Sequence, residues 1–286
     1  MFGKRPDGRL IKNLEPMQQI MPYIMKTRTD SMNMYEDTIN CELLDAYIEE
    51  KKAEGIRLDY MQIIIAAMVR LIALRPQLNR FVMNGRIYAR DKIWVSFVVH
   101  HRLRDGDTGT TIKIPFEGTE TIFEIADKVR EEIQKETVNH SEENGIDQLM
   151  RTLMKKIPSF LIKFVIDTLL WMDKHSIMPK KIVELSPFHT TLFITNLKSL
   201  GINHIYHHVY NFGTTGLFFA MGKEKERHHI WRGESKIQKQ MSYGLVMDER
   251  FCDGLYFALS LRQLGKIMLN LKELEKPLEK KKEDFE

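Results

Sequence analysis

The chain has 286 residues, 43% of them hydrophobic, which is enough apolar material to bury a sizeable core. Its 43 basic and 39 acidic side chains are interspersed and give a formal charge of +4, so charge indicates neither a nucleic-acid partner nor an anionic membrane. Cys41 and Cys252 form no CxxC pair and predict neither a disulfide framework nor a metal site. The N-terminus is too polar for a signal peptide. This polarity and the two widely separated cysteines favour a cytoplasmic location.

The first 80 residues predict an arm, an edge strand and two helices. Residues 1–22 carry little periodicity, and residues 23–39 alternate in part, as edge strands do. Asn40 is a predicted N-cap of the first helix. Asp59 opens a second helix that is apolar on most faces and ends at Pro76, which indicates a buried helix.

Strand patterns follow in RIYAR, KIWVSFVV and TTIKIPF, and the last two flank a glycine-rich turn that predicts a hairpin. Thr121 and Glu124 form a capping box at the start of an amphipathic helix. Residues 157–172, IPSFLIKFVIDTLLWM, are too short and too often charged to span a membrane. We expect a core or interface helix there, or else a helix lying on a membrane surface.

The C-terminal part alternates the strand patterns TTLFITN, LFFAMG and QMSYGLVM with turns at Gly201, Gly213 and Gly233, and closes with a helix over about 255–274. No repeat or low-complexity linker divides the chain. The sequence therefore predicts an α/β fold with layered α+β character. Its three parts are an N-terminal arm (1–22), one domain (23–277) and a charged, solvated tail (278–286).

One short motif stands between the last predicted strand and the last helix. The sequence MDERFCDG, at 247–254, resembles the DHRxxDG signature of the dihydrolipoamide acyltransferase catalytic domain and the HHxxxDG signature of chloramphenicol acetyltransferases. The structural positions of the motif, Asp248, Arg250 and Gly254, match, as does Asp253. Glu249 stands where these families carry the catalytic histidine.

Two further segments support the resemblance because they occur in the family's order. RLDYMQIIIAAMVRLIALRPQLNRFV is similar to the family's helix with its P-x-L-N turn, and TTLFITNLKSLGINHIYHHVYNFGTTGLFFAMG is similar to its FTISNLG segment. Thr195 replaces the usual serine, Phe212 and Gly213 replace a proline pair, and residues 146–178 are an insert that the resemblance does not cover. The resemblance implies a chloramphenicol acetyltransferase-like mixed sheet flanked by helices, and a homotrimer whose active sites lie between subunits.

The family's chemistry implies roles for individual residues. A thiol attacks a thioester while a histidine takes the thiol proton and a hydroxyl stabilises the oxyanion. The implied catalytic residues are Glu249, Thr195 and the orienting Asp253, and the implied substrate-binding residues are Asn196, His207, His208 and Asn211. An ordinary glutamate carboxylate is a weaker base than an imidazole by about two pKa units, so the replacement puts the activity in question.

Two functions from different classes follow. The first is a coenzyme A-dependent acyltransferase of the dihydrolipoamide acyltransferase type, with acyl-CoA as substrate and a small thiol, or a lipoylated partner protein acting in trans, as acceptor. No lipoyl-domain motif is present in the sequence, so any lipoyl group must come from another chain. The second is a catalytically silent trimeric scaffold or binding protein of the same fold.

Other side chains offer rival sites. The sequence HHRLRDG at 100–106 matches HHxxxDG, but the strand pattern that follows makes it a hairpin turn. His204, His207 and His208 are loop residues, or else one of them is a displaced base or, with less support, a metal ligand. A metal site would need a third ligand at a defined spacing, and the sequence shows none. Cys252 is either a nucleophile or, more simply, a buried structural thiol.

Overall fold

The computed structural model describes residues 4–100, 109–141 and 157–284. In these ranges the strands are β1 (Gly8–Leu10), β2 (Met32–Asn40), β3 (Arg80–Met83), β4 (Arg86–Arg90), β5 (Ile93–Val99), β6 (Thr110–Phe116), β7 (Leu192–Asn196), β8 (Leu217–Trp231) and β9 (Glu234–Asp248). The helices are α1 (Pro16–Ile24), α2 (Cys41–Ala53), α3 (Tyr60–Leu74), α4 (Ile122–Ser141), α5 (Ser159–Lys174), α6 (Lys180–Leu185) and α7 (Gly254–Leu269).

The main sheet has six strands in the order β2, β9, β8, β7, β5, β6. β7 runs parallel to both β5 and β8, and the other neighbouring pairs are antiparallel. A second sheet has the order β1, β4, β3. This mixed sheet with flanking helices confirms the predicted α/β class.

Helix α3 forms the centre of the core, as its sequence predicts. Its first turn is fixed by a capping box in which Asp59 accepts from the backbone N–H of Gln62 and the Gln62 side chain accepts from that of Asp59. Thirteen of its fifteen residues are buried, and it contacts α4 and α7. A helix buried on all sides needs the uninterrupted apolar run that this segment has.

The other predicted local signals are also confirmed. The Asn40 side chain caps α2 by accepting from the N–H of Glu42, and Thr121 and Glu124 cap α4 reciprocally. The predicted hairpin is β5 paired with β6; its tip, like most of the rival sequence at 100–106, lies outside the described residues. The β8–β9 hairpin is longer than predicted because polar residues continue both strands beyond the core, to a turn at Gly233.

Three expectations about peripheral segments need correction. Tyr23 lies in the last turn of helix α1 rather than at the start of a strand, and the predicted arm is anchored by β1 and by buried Arg5. The tail is not wholly solvated, since Asp284 pairs with buried Arg80 at 2.6 Å. Helix α5 is not a core helix, since Phe160 and Phe164 are 74% and 65% exposed.

The interface and membrane-surface interpretations of α5 stay predictions. Among the described residues, no helix is both long enough and apolar enough to cross a membrane.

Candidate functional site

Thr195 lies near the carboxyl end of β7, in register with Ala220 on β8, which is in turn in register with Gly244 on β9. Cross-strand partners point to the same face of a sheet, and so do alternate residues of one strand. Thr195 therefore shares a face with Phe193, which packs in a small cluster with Phe218. Within the described ranges its half-buried side chain makes no hydrogen bond, so the hydroxyl is available to a ligand.

The loop after β7 crosses this face and carries the predicted histidines. His207 stacks on Phe218 with ring centroids 3.9 Å apart and planes 1° apart. Its Nδ1 lies 3.0 Å from the backbone carbonyl oxygen of His208. Burial lowers the pKa of His207 below its ordinary value of 6.5, so the ring is neutral at neutral pH. Of the two histidines predicted to bind substrate, His207 is fixed against the sheet, whereas His208 is exposed.

His204, in the same loop, is held at the far side of the face. Its Nε2 lies 3.2 Å from Oε2 of Glu36, and its Nδ1 is buried and finds no hydrogen-bond partner in the described part of the chain. A side-chain carbon at Gly244 would lie 2.9 Å from Cδ2 of His204, and one at Gly222 would lie 2.5 Å from its backbone nitrogen. The loop can therefore lie this close to the sheet only because both strand positions are glycine.

The two predicted asparagines differ in how they are used. Asn196 follows Thr195, and its Oδ1 is buried without a hydrogen-bond partner among the described residues. A buried acceptor left in this state costs about 1–3 kcal/mol. Asn211 is engaged instead: its Oδ1 accepts from the backbone N–H of Arg28 at 2.9 Å, and its Nδ2 donates to Thr29.

The predicted structural motif at the end of β9 is a buried charge cluster. Asp248 accepts from Nη2 of Arg250 at 2.6 Å and from the hydroxyl of Ser31 at 2.9 Å. Arg28 approaches the same carboxylate at 3.9 Å and donates to the carbonyls of Asn211 and Val82. Burial lowers the pKa of Arg28 to about 10 against the opposing charge of Asp248, and the guanidinium stays charged at neutral pH.

Arg28 and Ser31 contact the motif at the end of β9, and sequence reasoning missed both residues. Neither belongs to a motif, and their partner Asp248 lies more than 200 positions away in the sequence. Only the β2–β9 pairing, which places Met32 opposite Asp248, brings them together.

Glu249 is half-buried at the turn after β9, where its backbone N–H donates to the carbonyl of Ser31. It follows Gly244 by five residues, so it lies about 17 Å along the strand direction from the row that contains Thr195. One chain therefore does not bring these two predicted catalytic positions together.

The remaining motif residues start α7. Asp253 caps the helix by accepting from the N–H of Tyr256 at 2.7 Å. The atom nearest to a side-chain carbon built at Gly254 is Oε1 of Glu249, at 4.0 Å. Cys252 is buried and its burial raises the pKa of the thiol, so the structural interpretation of this cysteine is confirmed.

A second buried charge cluster, which the sequence did not reveal, fastens α5 to the body of the protein. Arg5 pairs with Asp7 and with Asp173, the only buried residue of α5, at 2.8 Å each. Nε2 of His189 lies 3.1 Å from Asp173, and Arg90 lies 3.3 Å from Asp7. Among the described residues, no group of histidine, cysteine and acidic side chains could hold a metal ion.

Solved structures share this architecture over nearly their whole length. A probable dihydrolipoamide acetyltransferase from Listeria monocytogenes matches with a TM-score of 0.56 at 15% identity, covering 92% of this chain and 94% of that one. A chloramphenicol acetyltransferase matches with a TM-score of 0.51 at 12% identity, covering 91% and 99%. The protein has the chloramphenicol acetyltransferase-like fold.

The same fold is shared with dihydrolipoamide acetyltransferase from Azotobacter vinelandii, at a TM-score of 0.57 and 13% identity over 92% of this chain and 93% of that one. No protein-family model matches the sequence, and no curated protein sequence matches it. The resemblance read from MDERFCDG is thus confirmed as a chloramphenicol acetyltransferase-like fold.

Proposed function

We propose that the protein is a coenzyme A-dependent acyltransferase that moves an acyl group between coenzyme A and a thiol acceptor. The observation that carries the proposal is the Thr195 hydroxyl, which has no hydrogen-bond partner in the described structure and lies on the sheet face that the histidine loop crosses. The fold is that of acyltransferases, and this hydroxyl occupies the position that the resemblance assigns to the oxyanion donor.

The reaction needs two groups from the protein. One must donate a hydrogen bond to the carbonyl oxygen as it gains negative charge, and Thr195 is suited to this role. The other group must take the thiol proton, and the candidates are Glu249 of a neighbouring copy and a histidine of the loop.

We further propose a homotrimer in which residues 23–277 form the catalytic unit. The distance between Thr195 and Glu249 within one chain supports this assembly, because only a second copy can bring Glu249 to the Thr195 face. A structure with the same fold is the cubic core of a pyruvate dehydrogenase multienzyme complex, with a TM-score of 0.57 and 13% identity. The acceptor is a small thiol or a lipoyl group carried by another protein, and the cytoplasm is the proposed compartment.

A catalytically silent scaffold is the second candidate. It is favoured by Glu249 in the histidine position and by Asp253, whose carboxylate is used as a helix cap. The two functions differ in one measurement. Purified protein is incubated with dihydrolipoamide and each of several acyl-CoA thioesters, and the acyl-dihydrolipoamide product is quantified by mass spectrometry. A rate of product formation above that of the protein-free control supports the acyltransferase. No product with any of the thioesters supports the catalytically silent scaffold.

A further inference from the structure

We propose that a cavity between β2, the main sheet and α7 binds an uncharged ligand with an aliphatic chain and one hydrogen-bonding oxygen, the chemistry of a medium-chain alcohol. The cavity has a volume of about 250 Å³. Phe219 on β8 lines it, whereas the next residue, Ala220, is in register with Thr195. Neighbouring residues of a strand point to opposite faces, so this cavity is separate from the Thr195 face and does not depend on acyl transfer.

The wall of the cavity is apolar. Its buried side chains come from α3, from β8 and from α7, and include Ile64, Met68, Phe219, Leu264 and Met268. Leu43 and Leu269 also line the cavity and are 41% and 73% exposed, so its apolar rim opens to solvent. Protein interiors contain few voids larger than a water molecule, and an apolar cavity of about 150 Å³ already holds benzene. The volume here therefore suits a longer apolar body.

Gly265 keeps one side of the cavity open. It lies within α7 and lines the cavity, and a side-chain carbon built there would meet nothing within 4 Å beyond the backbone of its own helix. Glycine is less favourable than alanine inside a helix, because it loses more conformational freedom on folding. Packing does not require glycine at this position, and the missing side chain leaves the space free for a ligand.

The hydroxyl of Tyr243 offers that ligand a hydrogen bond. Only 5% of Tyr243 is exposed, its ring stacks on Phe219 at 4.9 Å, and its hydroxyl has no hydrogen-bond partner among the described residues. A buried tyrosine hydroxyl usually has such a partner. Burial and the charge of Asp37 raise the pKa of Tyr243, so the hydroxyl keeps its proton and can donate to a ligand oxygen.

The charge at the rim selects against an anionic head group. Asp37 lines the cavity and is exposed; it accepts from the hydroxyl of Tyr35 at 2.8 Å, and no ion pair neutralises it within the described ranges. A carboxylate on the ligand would be repelled by Asp37, and the described lining includes no lysine or arginine to attract it. A cation would gain little from an exposed carboxylate and would lose its hydration, so an uncharged oxygen fits best.

The test is isothermal titration calorimetry of the full chain with 1-octanol, octanoate and octylamine. Titrations at two temperatures detect binding even where the enthalpy is near zero at one of them, since apolar burial changes the heat capacity. We expect 1-octanol to bind one site per chain, at least tenfold more tightly than octanoate and more tightly than octylamine. Each methylene added between 1-hexanol and 1-octanol should strengthen binding by about fourfold.

Two variants test the cavity itself. Gly265→Leu fills it and should weaken 1-octanol binding more than tenfold, without a lower melting temperature, because leucine is the better helix former and meets no neighbour there. Tyr243→Phe keeps the stacked ring and removes the donor, and should weaken binding by about threefold to tenfold. The matched control is Ala258→Leu, a similar enlargement at an exposed position of α7 outside the cavity, which should bind as the wild type does.

Three results would overturn the inference. They are the absence of 1-octanol binding at both temperatures, an unchanged affinity in folded Gly265→Leu, and tighter binding of octanoate or octylamine than of 1-octanol. None of them bears on the proposed acyl transfer, which is measured separately on the opposite face of the sheet.

Discussion

The ring of His207 lies flat on the ring of Phe218, with centroids 3.9 Å apart. This contact places an imidazole on the sheet face that carries Thr195, whereas Glu249 of the same chain lies about 17 Å away along the strands. Within one chain, the predicted hydroxyl donor and the predicted base at Glu249 therefore cannot contact the same substrate.

Replacing Glu249 tests whether the motif position still performs proton transfer. If a histidine of the loop takes the thiol proton, we expect Glu249→Gln to lower kcat by less than tenfold, because the amide keeps the size of the side chain beside the start of α7. The rate of acyl-dihydrolipoamide formation is the measurement. A loss of 10² or more in a folded Glu249→Gln protein would assign the base to Glu249 instead.

The solution mass tests the proposed assembly. We expect a particle of about 101 kDa, three times the 33.7 kDa chain, or a multiple of that particle. Multi-angle light scattering coupled to size exclusion measures it directly. A monomer at micromolar concentration would contradict the homotrimer.

Arg28 joins the predicted motif to the loop, and its removal should destabilise the protein. Arg28→Met leaves Asp248 with one arginine fewer and frees the carbonyls of Asn211 and Val82. We expect a loss of about 3–5 kcal/mol in the free energy of unfolding, measured by urea titration. Arg262→Met, on the exposed face of α7, is the matched control and should change it by less than about 0.5 kcal/mol.

Asp173 should have a similar role for α5. Asp173→Asn weakens the pairs with Arg5 and His189, and we expect it to cost about 3 kcal/mol in the free energy of unfolding. Asp167→Asn, on the same helix but exposed and paired only with Lys163, should cost less than about 1 kcal/mol. Equal losses in the two variants would show that the buried cluster does not stabilise the fold.

The same cluster makes the free energy of unfolding depend on pH. Burial alone would raise the pKa of Asp173, but its hydrogen bond with His189 and the charge of Arg5 outweigh burial, and the pKa lies below the ordinary 3.8. As the pH falls, the Asp173 carboxylate is therefore protonated at a higher pH in the unfolded chain than in the folded protein. Its stabilisation is complete above about pH 5 and is lost progressively as the pH falls below 3.8 and through the lower pKa of the folded state, so the acid limb of unfolding should be shallower in Asp173→Asn.

Much of the fold could be predicted because its signals are local. The capping boxes at Asp59 and Thr121 and the apolar run of α3 each specify a helix without reference to distant residues. The exposed face of α5 and the long β8–β9 hairpin could not be predicted, since exposure depends on which neighbours a segment finds after folding.

The candidate site was predictable only in its parts. Thr195 and the loop histidines could be selected from the sequence, but their common face depends on the register of β7 with β8. The tautomer of His207 depends on a carbonyl one residue away, and no sequence pattern predicts that contact. Two partners of Asp248, Arg28 and Ser31, lie more than 200 positions earlier in the sequence, just before β2, so this charge cluster was also beyond sequence reasoning.

The most direct test of the account is the rate of acyl transfer in Thr195→Val and Thr195→Ser. The valine variant keeps the shape of the side chain and removes the donor, so we expect kcat to fall by about 10²- to 10³-fold, while serine retains the hydroxyl and should stay within about tenfold of the wild type. Both variants should bind acyl-CoA and unfold as the wild type does. A Thr195→Val protein that transfers acyl groups at the wild-type rate would contradict an acyltransferase site at this position.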